Sequence, residues 1–130
     1  MAKEIKFYGK TDEELKKMDL KEFAKLVSSR RRRTLLRGLR PLHKRLMEKV
    51  ALASKGKYSK SIKTQCRDAI VVPSMLGLTI HVHTGKTYSP IKIETEMLGC
   101  YLGELTMTRQ KVSHSAPGIG ATRSSSAEKK

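Results

Sequence analysis

The densest chemistry in the chain is cationic. Arg30, Arg31, Arg32 and Arg33 stand consecutively, and Arg37, Arg40, Lys44 and Arg45 follow closely. Guanidinium forks match phosphate oxygens two at a time, and each phosphate neutralised releases counterions. A solvated charged face is the blander explanation of such a run. It fits poorly here, because residues 30–63 hold 13 basic residues and a single acid, Glu48. An excess this one-sided points to a polyanion. Nucleic acid ranks ahead of an anionic membrane surface, since the stretch lacks the Trp and Phe anchors of an interfacial helix.

Other constellations are weaker. His81 and His83 are two apart on an expected strand, so both point to one face, and with Cys66 and Cys100 they raise the question of zinc. Neither cysteine has a close partner, and four ligands would have to converge from distant places. Two histidines on the polar side of a half-buried strand is the simpler reading, and no metal is expected. Glu94 and Glu96 have the spacing of an acid/base pair but no nearby His, Ser or Cys constellation. Charges favouring a helix N-terminus explain them as well. Cys100 sits among apolar neighbours, where a thiol is usually inert. Gly118 and Gly120 lack the preceding strand and the Lys-Ser/Thr of a phosphate loop. The expectation is a protein that is not an enzyme, with no cofactor and no small-molecule substrate.

Composition agrees with that. The 130 residues carry 28 Lys+Arg against 12 Asp+Glu, a net charge of +16, and hydrophobic residues make up 38 %. Globular domains usually reach ~45–50 % apolar, so a small core with polar extensions is expected. No stretch approaches the ~18–20 apolar residues of a membrane span, and no apolar leader opens the chain. Two cysteines do not make a disulfide framework. The expected setting is the reducing cytoplasm.

The charge is lopsided as well as large: residues 1–65 hold 20 Lys+Arg and 7 Asp+Glu, while 66–130 hold 8 and 5. Three parts follow: a basic helical N-terminal extension at 1–65, an α+β RNA-binding body at 66–112 and a flexible tail at 113–130. Thr11 with Glu14, and Asp19 with Glu22, have the spacing of capping boxes. Leu20, Phe23, Ala24 and Val27 then make one apolar stripe. Ser28 and Ser29 end that helix, and the arginines read as a link to a second helix with Pro41 in its first turn. Leu42, Leu46 and Val50 mark its apolar row, His43, Lys44, Arg45 and Lys49 its other faces, and Gly56 its cap. Residues 54–64 read as a basic loop.

In the body, Leu78, Ile80 and Val82 alternate with Thr79, His81 and His83, the period of a half-buried strand. A turn at Gly85 leads to a second extended run over 88–93, giving a β-hairpin. Thr95 and Glu96 open an expected short helix through Leu102, with Gly99 and Gly103 at close backbone approaches or a cap, and 104–112 is expected to return as a last strand. The fold class is thus α+β, a short mixed or antiparallel sheet packed on a helix. No zinc-finger, basic-zipper or RRM pattern is visible. Six aromatics supply little for a track of stacked bases, so folded RNA, read by shape and backbone, is preferred. A basic DNA-binding or DNA-compacting protein is the alternative.

A longer pattern narrows this. Pro73-Ser74-Met75-Leu76-Gly77, then Val82-His83-Thr84-Gly85-Lys86, then Ile93, Leu98-Gly99, Leu102-Gly103-Glu104 and Thr108 together resemble the small-subunit ribosomal proteins of the universal S-nineteen family. The tail 114–122, His-Ser-Ala-Pro-Gly-Ile-Gly-Ala-Thr, and the basic extension are similar to the archaeal and eukaryotic branch. The chain lacks the longer aromatic terminus of eukaryotic members, which favours an archaeal source. The resemblance implies residence in the head of the small subunit on its rRNA. It also implies a neighbour of the S-thirteen family, and a tail directed toward the decoding region with tRNA as a further partner. RNA contacts are expected from the eight arm residues Arg30 to Arg45 named above, from His81, His83, Lys86 and Lys92 in the body, and from Arg109, Lys111, His114 and Arg123 in the tail. Gly85, Gly99 and Gly103 are expected to act through conformation.

Overall fold

The computed structural model describes residues 6–111 together with 123 and 124. Four helices come first. α1 (Asp12–Lys17) starts where the backbone N–H of Thr11 donates to the Glu14 carboxylate at 3.1 Å. α2 (Leu20–Leu26) starts where the Asp19 carboxylate accepts from the N–H of Leu20 at 2.8 Å. Each cap satisfies a donor that the first helical turn leaves unpaired. The stripe on α2 faces inward as its spacing requires, with Phe23, Ala24 and Val27 buried.

The link read between two helices is itself a helix. α2 ends at its C-cap Val27, just before the serines, and α3 (Ser29–Leu36), with Ser28 as its N-cap, contains all four consecutive arginines. Arginine is a good helix former, and two of the four find acceptors inside the protein, which relieves the crowding of charge. α4 (Pro41–Ser54) begins on its proline, and Gly56 follows its C-cap with φ at +68°. Its buried face is not the expected row. Leu46 and Val50 are buried but Leu42 is 60 % exposed, and His43 at 5 % exposure takes its place. Spacing of 43, 46, 47 and 50 gives a face at i, i+3, i+4 and i+7, and a bond from His43 to Asp68 makes its burial tolerable.

Residues 54–64 are not wholly loop. β1 (Ile62–Thr64) pairs parallel with β2 (Thr79–His83), which pairs antiparallel with β3 (Tyr88–Lys92). Three residues are too few for an alternation to show in sequence, although Ile62 and Thr64 point inward and Lys63 outward. The β2–β3 hairpin forms as read, closed by a bond from the Thr84 N–H to the Thr87 carbonyl at 2.8 Å. A parallel pair needs a crossover, and residues 65–78 supply it, passing through a 3-10 turn at Pro73–Met75.

That crossover has its own backbone partner. Ile70 bridges Tyr101, the Val71 N–H donates to the Cys100 carbonyl at 2.8 Å, and the Gly99 N–H donates back to Val71 at 2.9 Å. The helix expected over 95–102 is therefore two separate 3-10 turns, Thr95–Met97 and Leu102–Glu104. Gly99 at φ +77° reverses the chain between them. No strand occurs over 104–111, the described part of the expected last strand. The tail reading falls outside the described residues, apart from 123 and 124.

One hydrophobic cluster holds everything together. Leu15, Phe23, Leu35, Leu46 and Val50 from the helices join Val71, Ile80, Val82, Ile93 and Leu102 from the rest. α4 packs beside β1, so the sheet has one covered and one solvated face.

Gly99 illustrates how tightly the two parts meet. A methyl group there would sit 3.0 Å from Cγ1 of Val27 at the end of α2, on a backbone conformation that side chains rarely adopt. Gly99→Ala is expected to cost about 1–2 kcal/mol from backbone strain, more if Val27 cannot give way. A urea denaturation midpoint unchanged from the parent would contradict this.

Candidate nucleic-acid interface

On α3 the arginines divide by direction. Arg31 turns toward the body: its Nη2 donates to both Glu104 carboxylate oxygens, at 3.0 and 3.2 Å, and its guanidinium lies 5.2 Å from the Tyr101 ring centroid. Arg32 turns back onto α2 and donates to the carbonyls of Ala24, Lys25 and Val27 at 3.1–3.3 Å. Those are carbonyls at the end of a helix, where the backbone lacks donors and the dipole favours a cation. Arg30, Arg33 and Arg37 recur at i, i+3 and i+7. All three are exposed, and none forms an ion pair among the described residues.

Beyond α3, Arg40 is exposed at the N-cap of α4 and pairs with Asp68 at 3.0 Å. Lys44 and Arg45 are exposed on the outer side of α4. Two acids of the body thus pair with Arg31 and Arg40, Arg32 is held by backbone carbonyls, and the outward cations form no ion pair among the described residues.

Asp68 accepts from Arg40 through one oxygen and from His43 Nε2 through the other, both at 3.0 Å. The His43 hydrogen bond, ahead of the opposing effect of burial, holds its carboxyl below the usual range. A depressed folded-state value gives stability that is complete above the unfolded value of about 3.9 and is lost as pH falls through the lower folded one. Asp68 is half-exposed, so its contribution is under about 1 kcal/mol. Asp68→Asn should lower stability at neutral pH and converge with the parent at acid pH. Parallel curves down to acid pH would contradict that.

The solvated sheet face is the second basic surface. Lys63 opposes His81, His81 opposes Pro90, His83 opposes Tyr88, and Thr79 opposes Lys92. Lys86 is exposed in the hairpin turn with Gly85, whose φ is +104°. Arg109, Lys111 and Arg123 are exposed, and His114 lies outside the described residues. Cys100 is partly covered, and burial followed by the nearby Glu104 charge pushes its thiol up. Among the described residues no three of His, Cys, Asp and Glu gather as a metal ion requires. The cleft between α1 and residues 92–95 is lined by charges of both signs, with no Ser, Cys or His.

Arg67 is a positioning residue that sequence reading missed. Its Nη1 donates to the His83 carbonyl and the Thr106 hydroxyl, both at 2.8 Å. Its Nη2 donates to the carbonyls of Gly103 at 2.8 Å and Thr106 at 2.7 Å. Gly103 allows this approach, because a Cβ there would stand 2.9 Å from the Arg67 carbonyl oxygen. Arg67 and Glu104 thereby link the end of the hairpin to α3. Only the register shows that Lys63 and Tyr88 share a face with the histidines.

Residues 33–114 match the family described as Ribosomal protein S19. The chain is 46 % identical over 125 residues to the small ribosomal subunit protein uS19 of Cenarchaeum symbiosum (strain A), covering 96 % of this chain and 95 % of that one. No helix among the described residues is long and apolar enough to cross a membrane. With the archaeal relative aligned over nearly its whole length, the chain belongs to the ribosomal protein S19 family in its archaeal type.

Proposed function

We propose that this protein is a structural constituent of the small ribosomal subunit, bound to the small-subunit rRNA in the head and working without catalysis. The observation that carries it is the division of α3. Arg31 and Arg32 are spent on folding, whereas Arg30, Arg33 and Arg37 form an exposed stripe with no ion pair among the described residues. Such a stripe on a rigid, docked helix presents guanidinium forks to a phosphate backbone at fixed spacing. Lys44 and Arg45 extend the same charge along α4, and Lys86, Lys92, Arg109 and Lys111 add cations on the body. Phosphate contacts set register and orientation, and A-form geometry rather than base sequence is what they read. The archaeal-type family membership supports the ribosomal setting. A neighbouring head protein of the S-thirteen family, and tRNA reached through the tail, belong to the same proposal.

The test is competition binding. Full-length protein is titrated with small-subunit rRNA and with duplex DNA of equal phosphate content, across a range of salt. Preference for the rRNA, with affinity falling as salt rises, is expected. Equal or greater affinity for the duplex would replace this reading with that of a DNA-compacting protein.

A further inference from the structure

The three strands of the sheet contain no Asp or Glu, and their outward positions combine cations with flat rings. Tyr88 on edge strand β3 is 37 % exposed. Its ring meets His83 edge-on, with centroids 4.9 Å apart and planes at 68°. Lys63 Nζ from the opposite edge strand lies 5.7 Å from the same ring centroid. We propose that Tyr88 and His83, with Lys63 beside them, form a seat for one unpaired base of the bound RNA. This rests on the rRNA-binding reading and names a base-contacting site within it.

The chemistry of the seat selects its occupant. An exposed aromatic ring offers a π-face to any base, and a sheet surface is a rigid platform for such stacking. Lys63 stands near the outer limit of cation–π range, about 6 Å. It is exposed, so it can leave the ring for the adjoining phosphate as the base arrives. His83 is oriented for a polar contact: its Nδ1 accepts from the Gly85 N–H at 3.2 Å, which places the proton of the neutral ring on Nε2. Its backbone is fixed through the Arg67 bond to its carbonyl. A donor held in this way suits a 2′-hydroxyl or a base edge. A polypeptide partner would require either an apolar face or acids of its own against Lys63 and Lys92, and Tyr88 and Pro90 alone supply little apolar area. The low aromatic content that argues against a track of stacked bases does not oppose a single seat, which needs one ring.

The test uses full-length protein and intact small-subunit rRNA, with affinity measured across salt for the parent, Tyr88→Leu, Tyr88→Phe and Lys63→Ala. Thermal melting shows whether each variant folds. Tyr88→Leu keeps bulk but loses the π-face and should weaken binding roughly 5- to 150-fold with the salt slope unchanged. Tyr88→Phe should remain within about twofold of the parent, because it keeps the ring. Lys63→Ala should reduce the slope by about one. A folded Tyr88→Leu that binds rRNA as well as the parent overturns the seat. So does an equal loss in the leucine and phenylalanine variants, which would assign the contact to the hydroxyl. If that leucine variant binds rRNA normally but a neighbouring protein fails to assemble beside it, the face is a protein interface and the seat is again excluded. Failure of the parent itself to prefer rRNA would instead strike the underlying reading.

Discussion

Replacing Arg67 with methionine is expected to lower stability by about 2–4 kcal/mol, the largest effect of any single surface-reaching residue here. Methionine keeps the length of the stem but removes a charged donor that bonds the His83, Gly103 and Thr106 carbonyls and the Thr106 hydroxyl. Hydrogen bonds to a charged group are each worth about 1.5–3 kcal/mol, but four on one guanidinium do not add independently. Thr106 is buried, so its freed groups would also lack water. Lysine should recover little, because a point charge cannot span acceptors that a planar fork reaches together. Urea denaturation reads the change as a lower midpoint at constant slope. A loss below about 0.5 kcal/mol, the usual range for a neutral surface change, would mean that the network has no structural role.

The second large effect concerns binding. Changing Arg30, Arg33 and Arg37 together to alanine should flatten the salt dependence of rRNA affinity by roughly two to three units of slope, close to one per lost phosphate contact. Stability should move little, since alanine suits an exposed helix position and these three make no ion pair among the described residues. Arg31→Ala and Arg32→Ala form the contrasting set. They should lower stability, because they strip Glu104 of its partner and uncap the end of α2, and they should affect the salt slope less. An unchanged slope in the triple variant would remove α3 from the RNA surface.

These two expectations mark where sequence was informative. Its apolar periods and caps were legible because they are local. The stripe on α2, Pro41 at the start of α4 and the alternation through β2 each follow from a few neighbouring residues. So was the location of the charge, which needs only counting. What each arginine does was not legible, since Arg30 and Arg31 differ only in which way the helix turns them. Glu104, which selects Arg31, is 73 residues away. The same distance problem hid β1, whose three residues become a strand only through pairing with β2. Likewise Asp68 decides that His43, and not Leu42, is the buried member of α4. Gly99 was read as a place of close approach, but its positive φ splits one expected helix into two short turns. The motif run from Pro73 to Thr108 identified the family because it is long and ordered, although nothing in it explains Arg67.

The most direct test of the central claim is sedimentation of native cell lysate through sucrose gradients at low and high salt, with this chain followed by antibody across the fractions. Comigration with the small ribosomal subunit, persisting until salt is high, is the predicted result. Migration as free protein or with chromosomal DNA at low salt would contradict it.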